Sequence, residues 1–197
     1  MSPAPPPTPE LHKRGCVKGG VLKSRLSLLE TAGGPALVKQ VLSRLTPGHR
    51  QLLSELIVAV GWYPFEVNAA LDSAIASTMG GGAGIHRRMG AQSAVDSLGS
   101  AHKNLIRERD PHGLLKHSAQ IHKLYYDTGY RTYEWVAKTS AVLRTFECKS
   151  YSAEDCQTNL GWHETALALC GARGVRVTDP RCRARGDDSC EYVCRWE

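Results

Sequence analysis

The chain is poor in the signatures that would make its chemistry easy to read. No stretch approaches the roughly 20 uninterrupted apolar residues that cross a bilayer, and no apolar segment follows the early charges as a secretory signal would. Neither a membrane helix nor export is therefore expected, and a cytoplasmic protein is the reading. Catalytic signatures are missing as well. The glycine run Gly80–Gly84 is followed by no Gly-Lys-Ser/Thr and preceded by no strand-like segment, so it reads as a joint between helices and not as a phosphate cradle. No HExxH helix, GxSxG elbow or dinucleotide fingerprint occurs.

What is present suffices for one ordinary domain. The 197 residues are 42% hydrophobic and 22% charged, enough apolar material for a core. The net charge of +6 is uneven: Lys13, Arg14, Lys18, Lys23 and Arg25 face only Glu10 within the first 25 residues. The remainder is close to balance, which disfavours a nucleic-acid-reading surface. Seven cysteines (Cys16, Cys148, Cys156, Cys170, Cys182, Cys190 and Cys194) are an odd number in a chain with no export signal. Free thiols or a metal site are expected before a disulfide framework.

Residues 1–15 read as a disordered, proline-rich tail, with five prolines in the first ten positions, and residues 16–197 as a single domain. From Cys16 a short strand is expected to pass into a helix that Gly33-Gly34-Pro35 ends. Val38, Val41, Leu42 and Leu45 then mark a short helix, and Thr46-Pro47 caps the next, whose stripe is Leu52, Leu53, Leu56, Ile57 and Val60. Gly61-Trp62-Tyr63-Pro64 breaks that run, and a third helix follows on Val67, Ala70, Leu71, Ala74 and Ile75. Further helices are expected over about 85–98 and from Asp110-Pro111 to Gly129.

The period then changes. Residues 130–137 and 141–148 are rich in aromatic and β-branched types and flank a turn at Lys138-Thr139-Ser140. Ser152 with Asp155 caps a helix running to about Gly171. Strands follow at 174–178 and 189–196, the latter placing Cys190, Tyr192, Cys194 and Trp196 on one face. The fold class is α+β: helices packed on an antiparallel sheet of about four strands, a helical N-terminal half, and a C-terminal strand-strand-helix-strand-strand half.

At this point the C-terminal third becomes recognisable. The run from Cys156 through Gly161, the Gly171–Gly174 turn, Cys182, Gly186-Asp187 and Cys190 resembles the vinyl-reductase-type small-molecule-binding domain. That domain is similar in fold to the subunits of the TRAPP vesicle-tethering complex. The blocks VKGGVLKSRL, GWYPFE, RRMG and CEYVCRW further resemble a paralogous family of uncharacterised myxobacterial proteins. The resemblance implies a domain, often dimeric, that encloses an apolar or aromatic molecule and serves as a sensor, here signalling through a protein partner. It also implies structural zinc on Cys156, Asp179, Cys182 and Cys190, a set of thiolates and one carboxylate suited to a closed tetrahedral site. Read without the resemblance, Cys156, Leu160, His163, Leu167 and Cys170 share one helical face, as inert core thiols would.

Tyr125, Tyr126, Tyr133, Trp135, Phe146 and Trp162 concentrate aromatic surface near the hairpin and are the candidate pocket lining, with core packing as the competing reading. His163-Glu164 near the cysteines supplies no aligned nucleophile and base. His117 and His122 sit five apart, off a common helical face, which argues against a paired metal or haem role. The leading expectation is a non-enzymatic ligand-binding or sensory domain. A protein-interaction adaptor with a filled core, acting on a partner such as a small GTPase, is the first alternative, and a thiol-dependent or reductase-type enzyme the second.

Overall fold

The computed structural model describes residues 14–99 and 110–197; the expected proline-rich tail lies almost wholly outside the described residues. Strand β1 (Cys16–Lys18) leads into helix α1 (Gly19–Ser43), followed by α2 (Pro47–Ser54), β2 (Trp62–Pro64), α3 (Phe65–Met79) and α4 (Ala83–Leu98). Helix α5 (Pro111–Tyr125) opens the second half, and then come β3 (Tyr130–Ala137), β4 (Ser140–Phe146), α6 (Ala153–Leu169), β5 (Arg176–Arg181) and β6 (Cys190–Arg195). The four long strands form one antiparallel sheet in the order β3-β4-β6-β5, and β1 pairs with β2 in a separate ribbon. Among the described residues no helix is long and apolar enough to cross a membrane.

Caps fall where the side chains predict. Thr46 Oγ1 accepts from His49 N, Asp110 Oδ1 accepts from Gly113 N at 2.7 Å, and Ser152 Oγ accepts from Asp155 N at 3.0 Å. Within the range of α1, Gly33-Gly34-Pro35 ends the first helical run as expected: Gly33 and Gly34 leave helical geometry, Gly34 at φ 65°, and a second run follows on the far side of the kink. The stripe assigned to the second helix is corrected. Helix α2 stops at Ser54, and Leu56 and Val60 are 89% and 77% exposed. Residues 58–61 serve the next element instead. The carbonyls of Gly61 and Ala59 accept from Gly19 N and Gly20 N, capping a helix whose preceding Lys18 offers no side-chain acceptor. A Cβ on Gly19 would lie 2.2 Å from the Val58 carbonyl, so this approach needs glycine.

Two cores result. Leu22, Leu29, Leu71, Ile75 and Met89 hold the N-terminal helices together, while Leu143, Leu160, Leu167, Tyr192 and Cys194 hold α6 against the sheet. The halves are joined where α4 crosses α6 backbone to backbone. A Cβ on Gly90 would sit 1.9 Å from the Thr158 carbonyl, and one on Gly161 would sit 2.0 Å from that of Arg87.

Candidate functional site

Between the two cores runs a buried polar seam. Arg25 of α1, 1% exposed, donates from Nε to Asp72 Oδ1 of α3 at 3.1 Å, and Asn68 Nδ2 donates to the other carboxylate oxygen at 3.1 Å. From the sheet side Arg131 of β3 donates from Nε to Thr145 Oγ1 (2.9 Å), from Nη1 to His163 Nε2 (3.3 Å) and from Nη2 to Asn159 Oδ1 (3.1 Å). Because a guanidinium only donates, His163 carries its proton on Nδ1 and gives it to the Asn159 carbonyl at 2.6 Å. Burial, with the Arg131 charge adding to it, pushes the His163 imidazole down to about 3.

Asp155 closes the seam from the first turn of α6. Tyr126 donates its hydroxyl to the carboxyl at 2.9 Å, and burial raises that carboxyl to about 7 in spite of the Arg25 charge. His122 of α5 donates from Nε2 to the Thr128 carbonyl at 3.2 Å and stacks on Tyr126, and burial takes it down to about 3 as well. Both imidazoles are therefore neutral at physiological pH.

Two hollows adjoin this seam. A small cavity of about 50 Å³ is walled by Arg25, Ser118, His122, Tyr126, Arg131 and Trp162. A larger cleft of about 610 Å³ opens between α1, α4 and α5, bordered by Lys23, Ser27, Val60, Ser93, Leu124 and Tyr125. Ser93 and Tyr125 border both. Of the aromatic residues singled out in the sequence, Tyr125, Tyr126 and Trp162 thus meet at the hollows. Tyr133 and Trp135 lie elsewhere, against His112: Tyr133 Oη is 2.8 Å from His112 Nδ1, and the Trp135 ring stacks on the imidazole at 3.6 Å. Phe146 stacks on Tyr130 at 5.3 Å.

The thiols form a third group. Cys156, Cys182 and Cys190 converge with their Sγ atoms within 4.8 Å of one another, the shortest separation being 3.1 Å between Cys156 and Cys182. Hydrogen bonds to Cys182 and Cys190 hold the Cys156 proton on, while Cys182 is brought down to about 6, chiefly by its bond with Cys156. Asp179 is not among them. Its carboxylate pairs with Arg185 at 2.8 Å, so the expected four-ligand set is reduced to three thiols.

No sequence family and no curated protein matches the chain; solved structures do. An H-NOX protein from S. oneidensis in the Fe(II)NO state superposes with a TM-score of 0.71 at 14% identity, covering 91% of this chain and 99% of that one. The fold is that of the H-NOX proteins. Unliganded Fe(II) H-NOX from K. algicida gives 0.69 at 12% identity, covering 91% and 96%. An oxygen-binding H-NOX domain related to soluble guanylate cyclases gives 0.68 at 12%, covering 91% and 95%.

This finding corrects two expectations. The resemblance to the vinyl-reductase and TRAPP fold is replaced by likeness to H-NOX structures; helices followed by strand-strand-helix-strand-strand, with cysteines on the last strands, is a pattern too generic to separate such folds by eye. Structural zinc, or no cofactor, is likewise displaced as the cofactor of this fold, because the H-NOX structures hold Fe(II), and haem is the iron cofactor such a fold implies.

Haem needs room and an axial donor, commonly histidine. The large cleft has the room, but among the described residues no histidine lines it, and its Tyr125 hydroxyl is held protonated by burial while hydrogen-bonding with Ser97. The small cavity has His122 but only about 50 Å³, against the roughly 300 Å³ at which small-molecule pockets begin. Among the described residues, room and histidine donor lie in adjoining but different hollows, and those residues by themselves do not fit a haem.

Proposed function

We propose that this chain is a non-enzymatic ligand-binding sensory domain on the H-NOX fold that takes an apolar small molecule directly into the cleft between α1, α4 and α5. The observation carrying this reading is the cleft itself. Its volume of about 610 Å³ lies in the middle of the range for small-molecule sites. Ala59, Val60, Leu124 and Tyr125 give it an apolar wall, and Lys23, Ser27 and Asp96 supply polar atoms that would orient a ligand.

Binding, and not turnover, is favoured by how the reactive side chains are committed. Cys148, Cys156, Cys182 and Cys190 hydrogen-bond to carbonyls, backbone N–H groups or one another, and among the described residues no hydrogen bond joins a histidine to any of them. Output to a protein partner is part of the proposal. Residues 58–61 border the cleft at Val60 and also cap α1, and they continue into Leu56, 89% exposed. A ligand touching Val60 therefore acts on a segment that already displays apolar surface to solvent.

Native mass spectrometry of the full chain, with and without the substitution Ser27→Trp, tests the reading. The expected result is an apolar molecule retained by the parent and lost when the indole fills the cleft. Failure of the parent to retain any member of an apolar ligand panel, or equal retention by the variant, contradicts it.

A further inference from the structure

The small cavity carries a separate message, independent of what occupies the larger cleft. Three side chains on its wall each hold a polar atom that is fully buried and has no hydrogen-bond partner among the described residues: Arg25 Nη2, Ser118 Oγ and His122 Nδ1. These residues are 1%, 1% and 3% exposed and come from two helices, α1 and α5. One unpaired buried polar atom costs on the order of 1–3 kcal/mol, and such groups are rare in native proteins. Three around one void describe a site built for an occupant.

Donor and acceptor chemistry defines that occupant. Arg25 Nη2 can only donate, and it carries positive charge beyond the single bond that its Nε makes to Asp72. His122 already donates from Nε2 to the Thr128 carbonyl, so in the neutral ring Nδ1 is a lone pair that can only accept. Ser118 can do either. The complementary molecule has a negatively charged acceptor for Arg25 and an O–H for His122.

Charge agrees with this. Arg131, 8% exposed and also on the wall, has only the neutral partners Thr145, His163 and Asn159, with no carboxylate within 4 Å among the described residues. A buried guanidinium whose hydrogen bonds all go to neutral groups, with the Asp155 carboxyl acting on it only at longer range, favours an anion nearby. Size then narrows the class. About 50 Å³ exceeds the roughly 10–15 Å³ that holds one water and falls far short of a drug-sized pocket.

We propose that the cavity walled by Arg25, Ser118, His122 and Arg131 is a binding site for a small planar oxyanion that retains an O–H group, of which hydrogencarbonate is the common example. One oxygen accepts from Arg25 Nη2, the O–H donates to His122 Nδ1, and Ser118 Oγ bonds the remaining oxygen. No bond in the ligand is made or broken.

The test is titration of ¹³C-labelled hydrogencarbonate into the full chain at constant pH, followed by carbon NMR, beside nitrate as a planar anion without an O–H. Saturable hydrogencarbonate binding is expected, with nitrate weaker by about tenfold, the worth of one hydrogen bond to a buried acceptor. Ser118→Ala, which removes a hydroxyl and adds no volume, is expected to weaken binding several-fold. Ser118→Leu, which fills the void, is expected to abolish it while the circular dichroism melt stays cooperative. Absence of saturable binding to the parent overturns the proposal, leaving water as the occupant. So does nitrate binding as tightly as hydrogencarbonate, or undiminished binding by a folded Ser118→Ala chain.

Discussion

Replacing Gly161 by alanine is expected to destabilise the protein by about 2 kcal/mol or more, and the size of that effect follows from the α4–α6 crossing. The added methyl would lie 2.0 Å from the Arg87 carbonyl oxygen, where ordinary contact begins at 3.4 Å. The obstacle is backbone, so no side chain can swing aside, and two helices must separate by more than an ångström along their tightest contact. Overpacking of this kind costs typically 1–3 kcal/mol and occasionally more. Against it stands the gain of roughly 0.5–1 kcal/mol when a helical glycine becomes alanine. Gly84→Ala isolates that gain, because it lies in α4 with nothing within 4 Å of the new methyl. Thermal denaturation of both variants is the assay. At roughly 2–4 °C per kcal/mol for a chain of this length, Gly161→Ala should melt several degrees below the parent and Gly84→Ala slightly above it. Equal or opposite shifts would refute the claim that glycine sets the helix separation, and with it the placement of the seam.

Two further consequences concern the seam's charges. His122 and His163 are held near 3 when folded, while unfolded imidazoles titrate near 6.5. The unfolded chain therefore binds more protons as pH falls below 6.5, and stability is lost in that direction, by about 2 kcal/mol for each histidine at pH 5 relative to pH 7.5. Asp155, raised to about 7, titrates the opposite way and offsets part of this loss. The measurement is thus the difference between parent and His163→Gln in urea unfolding across that range; the variant should show the shallower acid-side decline, and an unchanged slope would contradict the neutral assignment. The substitution Arg25→Met strands Asp72, whose carboxylate is fully buried, and should cost about 3–5 kcal/mol, most of it recovered in the double variant Arg25→Met/Asp72→Leu. A double variant as unstable as the single one would show that the ion pair is not what Arg25 contributes.

Much of the architecture was legible because local rules and tertiary packing agree. The capping side chains Thr46, Asp110 and Ser152 begin helices, and the alternation of Cys190, Tyr192, Cys194 and Trp196 sets the buried face of β6. The expectation for Leu56 and Val60 failed because a long-range demand, capping α1 with the 59–61 carbonyls, outweighed the helical spacing of the segment. Cys156, Cys182 and Cys190 come together as the resemblance implies and not as their spacing does, yet Asp179 is drawn off by Arg185, which no spacing rule reveals. The seam was harder. Arg25, Ser118, His122 and Arg131 come from separate elements, and each alone reads as an ordinary surface-type residue. His122 was set aside because it pairs poorly with His117, whereas its partners are the Thr128 carbonyl and the Tyr126 ring. Only tertiary proximity gives these residues a shared meaning.

The central proposal, resting on the separation of room and histidine donor among the described residues, is that an H-NOX fold here serves a ligand other than haem. Expression with excess haem and its precursor, followed by absorbance spectroscopy of the purified full chain and native mass measurement, tests it most directly. The account predicts no Soret band and a mass free of haem at 21.5 kDa. A stoichiometric haem in the purified parent chain, whichever residue ligates it, would contradict it.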